Sequence, residues 1–241
     1  MLVTIISEDV GEVIINLCDN KNFSQKLRDS LPFKAKAIVW KEEVYFETPI
    51  KADIESETIR VKKGDVAYWP PGRAMCLFYG VSQPYSPVEI VGEILGPTYY
   101  LRSVRDGSNI EVQVYKERNH PLINTLSKAG LTAALRQSED GYISIVTNLK
   151  IGGELLGVEL YPEEYGIAIE SDGFFKYDLS TGAQICVRKF KELIEKSIKS
   201  IRFDINEDNY LCLTTYVKDA NEVISKLRDM ERAYDILVKY L

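Results

Sequence analysis

The feature that most constrains this chain is a succession of short β-branched and aromatic runs, each closed by a turn signal after a few residues. Leu2 to Ile6 and Glu12 to Leu17 flank Glu8-Asp9-Val10-Gly11 and read as a hairpin. Lys34 to Trp40 and Glu43 to Thr48 flank Lys41-Glu42, and Thr58 to Lys62 runs into Lys63-Gly64-Asp65. Val66 to Trp69 meets the corner Pro70-Pro71-Gly72 before Met75 to Tyr79. Val88 to Ile94, Tyr100 to Val104 and Ile110 to Tyr115 complete the series. One helix interrupts it. Asn22 and Gln25 have the spacing of a capping box, Phe23, Leu27 and Leu31 recur every four residues, and Pro32 stops the helix. Short strands at this spacing predict a barrel or sandwich and not an α/β sheet.

Several segments in one order resemble the small prokaryotic cyclophilin-like proteins: Leu31-Pro32-Phe33, then Trp40 before Glu42-Glu43-Val44-Tyr45-Phe46-Glu47-Thr48-Pro49. Gly64-Asp65 leading to Tyr68-Trp69-Pro70-Pro71-Gly72 belongs to the same pattern, as do Cys76-Leu77-Phe78-Tyr79-Gly80 and Ser86-Pro87-Val88-Glu89-Ile90-Val91-Gly92. The resemblance covers residues 1 to about 116 and implies an all-β closed eight-stranded barrel with one helix. Two departures stand out: Lys41 where the family usually has glycine, and a loop from Gly80 to Ser86 that is shorter than usual.

The barrel is related in shape to the prolyl isomerases called cyclophilins. In those enzymes an arginine at the prolyl nitrogen helps lower a barrier of about 18–20 kcal/mol. Its strand begins Phe-His-Arg, and the counterpart here, Glu42 to Ile50, has neither arginine nor histidine. Binding of a peptide or small ligand without ordinary isomerase catalysis is therefore expected. A divergent isomerase using Arg73 is the alternative, since a guanidinium beside Trp69 suits a carboxylate or amide carbonyl. Strand alternation turns Val44 and Phe46 one way and Glu43, Tyr45 and Glu47 the other. The second set is then on the outer wall, where cyclophilins keep their cleft. Tyr68, Trp69, Pro70 and Pro71 form a candidate aromatic-proline platform. The candidate binding residues are Glu43, Tyr45, Glu47, Tyr68, Trp69, Pro71 and Arg73; none is assigned as catalytic.

Lys116-Glu117-Arg118-Asn119-His120-Pro121 breaks the strand pattern, which divides the chain into domains 1–117 and 118–241. The second reads as α+β and resembles no family. Helical spacings run over Leu122 to Leu135, interrupted by Gly130, and strands are expected over Tyr142 to Thr147, Leu155 to Leu160, Gly166 to Glu170 and Phe174 to Leu179. Lys189 to Lys199 reads as a helix, and Ser200 to Asp204 and Tyr210 to Val217 as strands. The last helix, from about Asp219 to Leu241, carries Ala220, Val223, Leu227, Met230, Tyr234, Leu237 and Leu241 at alternating spacings of three and four, with Ile224 and Val238 widening the seam. Packing on its own sheet is the first reading and a homodimer the second.

Composition closes off other classes. A hydrophobic fraction of 45% and a charged fraction of 27% allow each half a core. The formal net charge is -6, so phosphate-backbone binding lacks broad electrostatic support. The basic stretch from Arg188 to Arg202 is diluted by Glu192 and Glu195, which leaves RNA binding there as a minor alternative. Cys18, Cys76, Cys186 and Cys212 are far apart and His120 is the only histidine, so no zinc or other metal site is expected, nor any cofactor. Free buried thiols, an acidic N-terminal stretch and no long apolar run suit a cytoplasmic protein. Few glutamines, at positions 25, 83, 113, 137 and 184, hint at a thermophile.

Overall fold

The computed structural model describes residues 1–240; Leu241, the last position of the predicted helical seam, lies outside them. The first two runs form the expected hairpin, β1 (Leu2–Ser7) and β2 (Gly11–Leu17), in antiparallel register from Leu2↔Asn16 to Ser7↔Gly11. The helix α1 (Asn22–Ser30) follows, with Phe23 and Leu27 fully buried in the barrel core. The capping box does not form. Lys21 occupies the cap position, no side chain caps the helix, and the buried Asn22 Oδ1 has no partner.

Seven more strands complete the first sheet: β3 (Phe33–Lys36), β4 (Ile38–Trp40), β5 (Glu43–Glu47), β6 (Asp65–Trp69), β7 (Ala74–Phe78), β8 (Glu89–Leu95) and β9 (Asn109–Val114). Their order is β3-β9-β1-β2-β8-β6-β7-β5-β4, so the row counts nine strands among the described residues, not eight. The extra strand comes from Lys34 to Trp40, which reads as one strand and is two. At Ala37 the chain leaves the β9 side, where Phe33↔Val112 pairs, and joins β5, where Trp40↔Glu43 pairs. Both ends of the row are therefore one stretch of chain. The barrel is nearly closed, by covalent continuity at the bend rather than by a continuous hydrogen-bonded ladder. Ala37 N–H donates to Ser108 O at 2.9 Å and Ala37 O accepts from Gly107 N at 2.8 Å, which fixes the bend.

Two other predicted strands are absent. Thr58 to Lys62 reduces to the single bridge Thr58↔Val88, because the segment is held by side chains instead of a ladder. The Gln83 side chain accepts from Val61 N at 3.0 Å and donates to Val61 O at 3.1 Å. Glu89 Oε1 accepts from Glu55 N and Ser56 N and pairs with Lys21 Nζ at 2.9 Å. Tyr100 to Val104 is not extended; Tyr99–Ser103 is a 3₁₀ turn that buries Tyr100 and Leu101.

Contact within the chain separates a first unit, Met1–Arg118 with Arg136–Ile143, from a second, Asn119–Leu135 with the residues from Ser144 onward. A second sheet, all but the end of β10 and the first residue of β11 belonging to the second unit, is formed by β10 (Ala133–Gln137), β11 (Ile143–Ile151), β12 (Glu154–Glu163), β13 (Gly166–Ser171), β14 (Arg202–Ile205) and β15 (Leu211–Val217) in the order β10-β11-β12-β13-β15-β14. Of the helical spacings over Leu122 to Leu135 only the first part forms a helix: α2 (Pro121–Lys128) ends before Gly130, whose φ of 81° is left-handed, and β10 follows. Phe174 to Leu179 is not a strand and keeps only the bridge Lys176↔Tyr210. The helix expected from Lys189 begins earlier, α3 (Thr181–Ser197), capped by the Ser180 hydroxyl on Ala183 N.

The helix α4 (Val223–Val238) buries Val223, Leu227, Met230, Ala233 and Leu237 in the core of its own unit, which also holds Ile145, Leu160 and Leu213 from the sheet. Val238, expected to widen that seam, is 46% exposed. No helix of the described residues is long and apolar enough to cross a membrane.

The opposite face of the second sheet sets polar side chains among buried apolar ones such as Val146 and Cys212. Glu159 on β12 stands directly across from Glu170 on β13, and Glu170 across from Thr214 on β15. Like charges set opposite in a sheet repel. Burial, then Glu159, Glu207 and Asp204, raise the Glu170 pKa to about 7. Folding therefore favours the protonated form, and this contribution is complete below pH 4.5 and lost as pH rises through 7. Urea midpoints of the full chain should fall across that window. Glu170→Gln should flatten the fall and leave the variant more stable by about 2 kcal/mol at pH 8, after allowance for solvent screening. In the barrel, Glu89→Ala removes the anchor of the 55–56 segment and strands Lys21. A loss of about 3 kcal/mol is expected in chemical denaturation.

Candidate functional site

Strand β5 places the site because its side chains alternate. Val44 and Phe46 are buried in the barrel core, 1% and 0% exposed. Glu43 and Tyr45 turn to the outer wall, and the antiparallel register sets Trp40 across from Glu43 and Cys76 across from Tyr45. Trp69 reaches the same wall from the end of β6. Its ring stands edge-on to Tyr45, with centroids 6.2 Å apart and planes at 84°. The segment from Gly80 to Val88 closes over one side. Together Trp40, Glu43, Tyr45, Trp69, Cys76, Pro84, Tyr85 and Val88 line a pocket of about 230 Å³.

Local contacts hold these walls in place. Trp69 Nε1 donates to Ser86 Oγ at 2.7 Å, which ties the ring to the loop. Gly72 lies flat against Trp69: a Cβ there would sit 2.4 Å from the ring. Glu42 accepts from Val81 N at 2.7 Å and from Arg102 Nη2 at 2.6 Å and so fixes the start of the loop. Lys41, in the position where glycine would be ordinary, adopts a left-handed φ of 54°. The tight β4–β5 turn is thus retained without glycine, and Lys41 Nζ rests 4.2 Å from the centroid of the Trp40 ring.

Two adjacent carboxyl groups behave oppositely. Burial opposes ionisation of Glu42, but the Val81 N–H and the Arg102 guanidinium outweigh it and hold its pKa below the usual carboxylate range. Glu43, 5% exposed, has no such cation. Burial raises its pKa, and the hydrogen bond from the Cys76 thiol offsets this only in part. Burial, and then Glu43, push the Cys76 thiol well up, so it stays neutral. Burial and the charge of Glu43 also raise Tyr45. The arrangement is an aromatic recess with one poorly solvated carboxyl in it.

Of the residues expected from sequence, the structure brings together Glu43, Tyr45 and Trp69. It does not bring in the other four. Tyr68 is fully buried in the barrel, its ring centroid 4.6 Å from that of Phe23, with its hydroxyl accepting from Ala52 N at 3.2 Å. The reason is strand parity, since neighbours in β6 face opposite ways. Pro71 is exposed on the 3₁₀ turn Pro70–Gly72. Arg73, left-handed at φ 47°, pairs with Glu47 in solvent, and neither lines the pocket. Trp40, Cys76, Pro84, Tyr85 and Val88 line the pocket as well and are not among the residues expected from sequence. Cross-strand register would have found Trp40 and Cys76; Tyr85 carries no signal beyond being an aromatic in a polar, proline-bounded loop.

A family model described as cyclophilin-like matches residues 1–113. The solution structure of a hypothetical protein from Archaeoglobus fulgidus is 31% identical, the match covering 48% of this chain and 95% of that one with a TM-score of 0.42. A structure of McbB in complex with tryptophan is 16% identical, covering 53% of each chain with a TM-score of 0.38. No curated protein matches the chain.

Gly72→Ala tests how tightly the corner holds the ring. The new methyl must displace Trp69, and a cost of about 1–3 kcal/mol is expected, with a shift of tryptophan emission measured on the same samples.

Proposed function

With residues 1–113 belonging to the cyclophilin-like family, we propose that this domain is a binding module and that its ligand enters the outer-wall pocket beside Tyr45 and Trp69. The observation that carries the reading is the recess itself: four aromatic side chains and one buried glutamate line the same pocket. Recesses of this composition, apolar with a few polar groups, are the usual form of a ligand site. Tyr85 adds to it, since this ring lines the pocket while 91% exposed, and an occupant would cover it. At about 230 Å³ the recess suits a head group or a single side chain, from a small molecule or a peptide, and not a whole drug-sized ligand.

Prolyl isomerisation is the weaker reading. It needs a cation directed at the prolyl nitrogen, and no basic residue lines the pocket. Arg73 is engaged by Glu47 away from it. RNA binding through α3 is weaker still, because Lys191 and Lys196 pair with Glu195 and Glu192 along the helix.

Saturation-transfer NMR with indole, N-acetylprolinamide and choline as probes checks the reading. At least one should contact the wild type and lose about tenfold or more in affinity in Trp69→Ala, while Arg73→Ala leaves it unchanged. Identical behaviour of wild type and Trp69→Ala toward all three would refute a binding role for the pocket. In a protease-coupled proline-peptide assay no turnover above background is expected; turnover that disappears in Arg73→Ala would favour the isomerase instead.

A further inference from the structure

Glu43 is buried where a carboxylate is poorly supported. Among the described residues its pKa reflects only burial and one thiol hydrogen bond, and no lysine, arginine or histidine lines the recess around it. A buried carboxyl of this kind either keeps its proton or acquires a cation. The walls favour the cation. Trp40, Tyr45, Trp69 and Tyr85 surround the same space, and aromatic faces attract positive charge. Trp40 already does so on one side, with Lys41 Nζ 4.2 Å from its centroid.

We propose that the pocket selects a methylated ammonium group, seated among Trp40, Tyr45, Trp69 and Tyr85 with its charge against Glu43. This deepens the binding reading above and depends on it. The choice of a methylated over a bare ammonium, or a guanidinium, follows from counting acceptors. A primary ammonium brings three donors and a guanidinium five. Among the lining side chains the strong acceptors are the Glu43 oxygens and the two tyrosine hydroxyls, while the indole rings and the proline ring accept no such bond, so a guanidinium keeps unsatisfied donors and a primary ammonium must draw all three groups to one point. A methylated ammonium has few or no donors left to satisfy, and its methyl groups gain by leaving water. The volume of about 230 Å³ matches a head group carried on a longer molecule.

Binding is linked to a proton. Where Glu43 is protonated in the empty site, entry of the cation breaks the carboxyl O–H bond and releases the proton to buffer, leaving carboxylate against ammonium. The other titratable groups lining the recess are Tyr45 on the same strand, Cys76 on β7 and Tyr85 in the loop. Tyr45 and Cys76 are both shifted upward and stay neutral through the range of interest. Affinity for the cation therefore rises with pH until Glu43 is ionised, then levels.

The test is a titration of tryptophan fluorescence in the full-length protein at several pH values between 5 and 8. Three probes are used: choline, its neutral carbon isostere 3,3-dimethylbutan-1-ol, and a short peptide amide containing trimethyl-lysine. Choline or the trimethyl-lysine peptide should bind at least tenfold tighter than the isostere, and the tighter of the two identifies the source of the group. Affinity should increase with pH, and Glu43→Gln, checked for fold by circular dichroism, should lose at least tenfold at pH 8. Equal binding of the isostere, or an unchanged affinity in folded Glu43→Gln, overturns the cation assignment while leaving the pocket a binding site. Failure of all three probes, together with silence of indole and N-acetylprolinamide in the NMR experiment, overturns the binding reading as well.

Discussion

Everything on the outer wall depends on how the barrel closes at Ala37. A sheet of antiparallel strands with two free edges would leave two rows of unpaired backbone groups. Here the chain from Phe33 to Trp40 supplies both edges, and the bend between them is fixed by backbone bonds to Gly107 and Ser108. Val39 N adds a bond to Asp106 Oδ1 at 3.0 Å, on the same turn. The bend delivers β4 to β5, and that pairing is what stands Trp40 beside Glu43. The pocket is thus a by-product of closure, made where the closing strand meets its second neighbour.

The carboxyl groups around this wall differ by what each was given as a partner. Glu42 receives a backbone N–H and an arginine, Glu89 a lysine and two backbone N–H groups, and Glu43 a thiol alone. The first two tie loops to the barrel. Glu43 has no comparable role in tying anything down, yet it is as deeply buried as a core residue. In the second domain burial also disfavours the Glu170 carboxylate, but there the neighbour across the sheet is another glutamate and Arg202 offsets part of the effect. A disfavoured carboxylate recurs in both domains, in one as a recess and in the other as a pair on a sheet face.

The barrel was legible because its evidence is local. Strand runs, the Pro70-Pro71-Gly72 corner and the two-faced pattern of β5 are all properties of adjacent residues, and each survives in the structure. What failed depended on distant partners. Thr58 to Lys62 has the residues of a strand, but its backbone groups bond the side chains of Gln83, Asp65 and Thr58 itself, and its only ladder contact is with Val88. Tyr68 and Arg73 lie near Trp69 in sequence, and that proximity puts Tyr68 on a platform with the indole and Arg73 beside it. Alternation sends Tyr68 inward, and the left-handed turn at Arg73 sends its side chain toward Glu47. Tyr85 was invisible, because a loop's position over a sheet is set by contacts such as Ser86 with Trp69 that no periodicity announces.

The alternation along β5 also bears on how such a domain could diversify. Its five residues serve two compartments at once, with Val44 and Phe46 inside and Glu43 and Tyr45 outside. Inserting or deleting one residue would exchange the compartments, placing a glutamate in the barrel and a phenylalanine on the wall. A lineage of these barrels is therefore barred from remodelling this wall by length variation in the strand. Substitution at the outward positions remains open to it, and so does lengthening or shortening the 80–87 loop, which touches the recess without carrying the core.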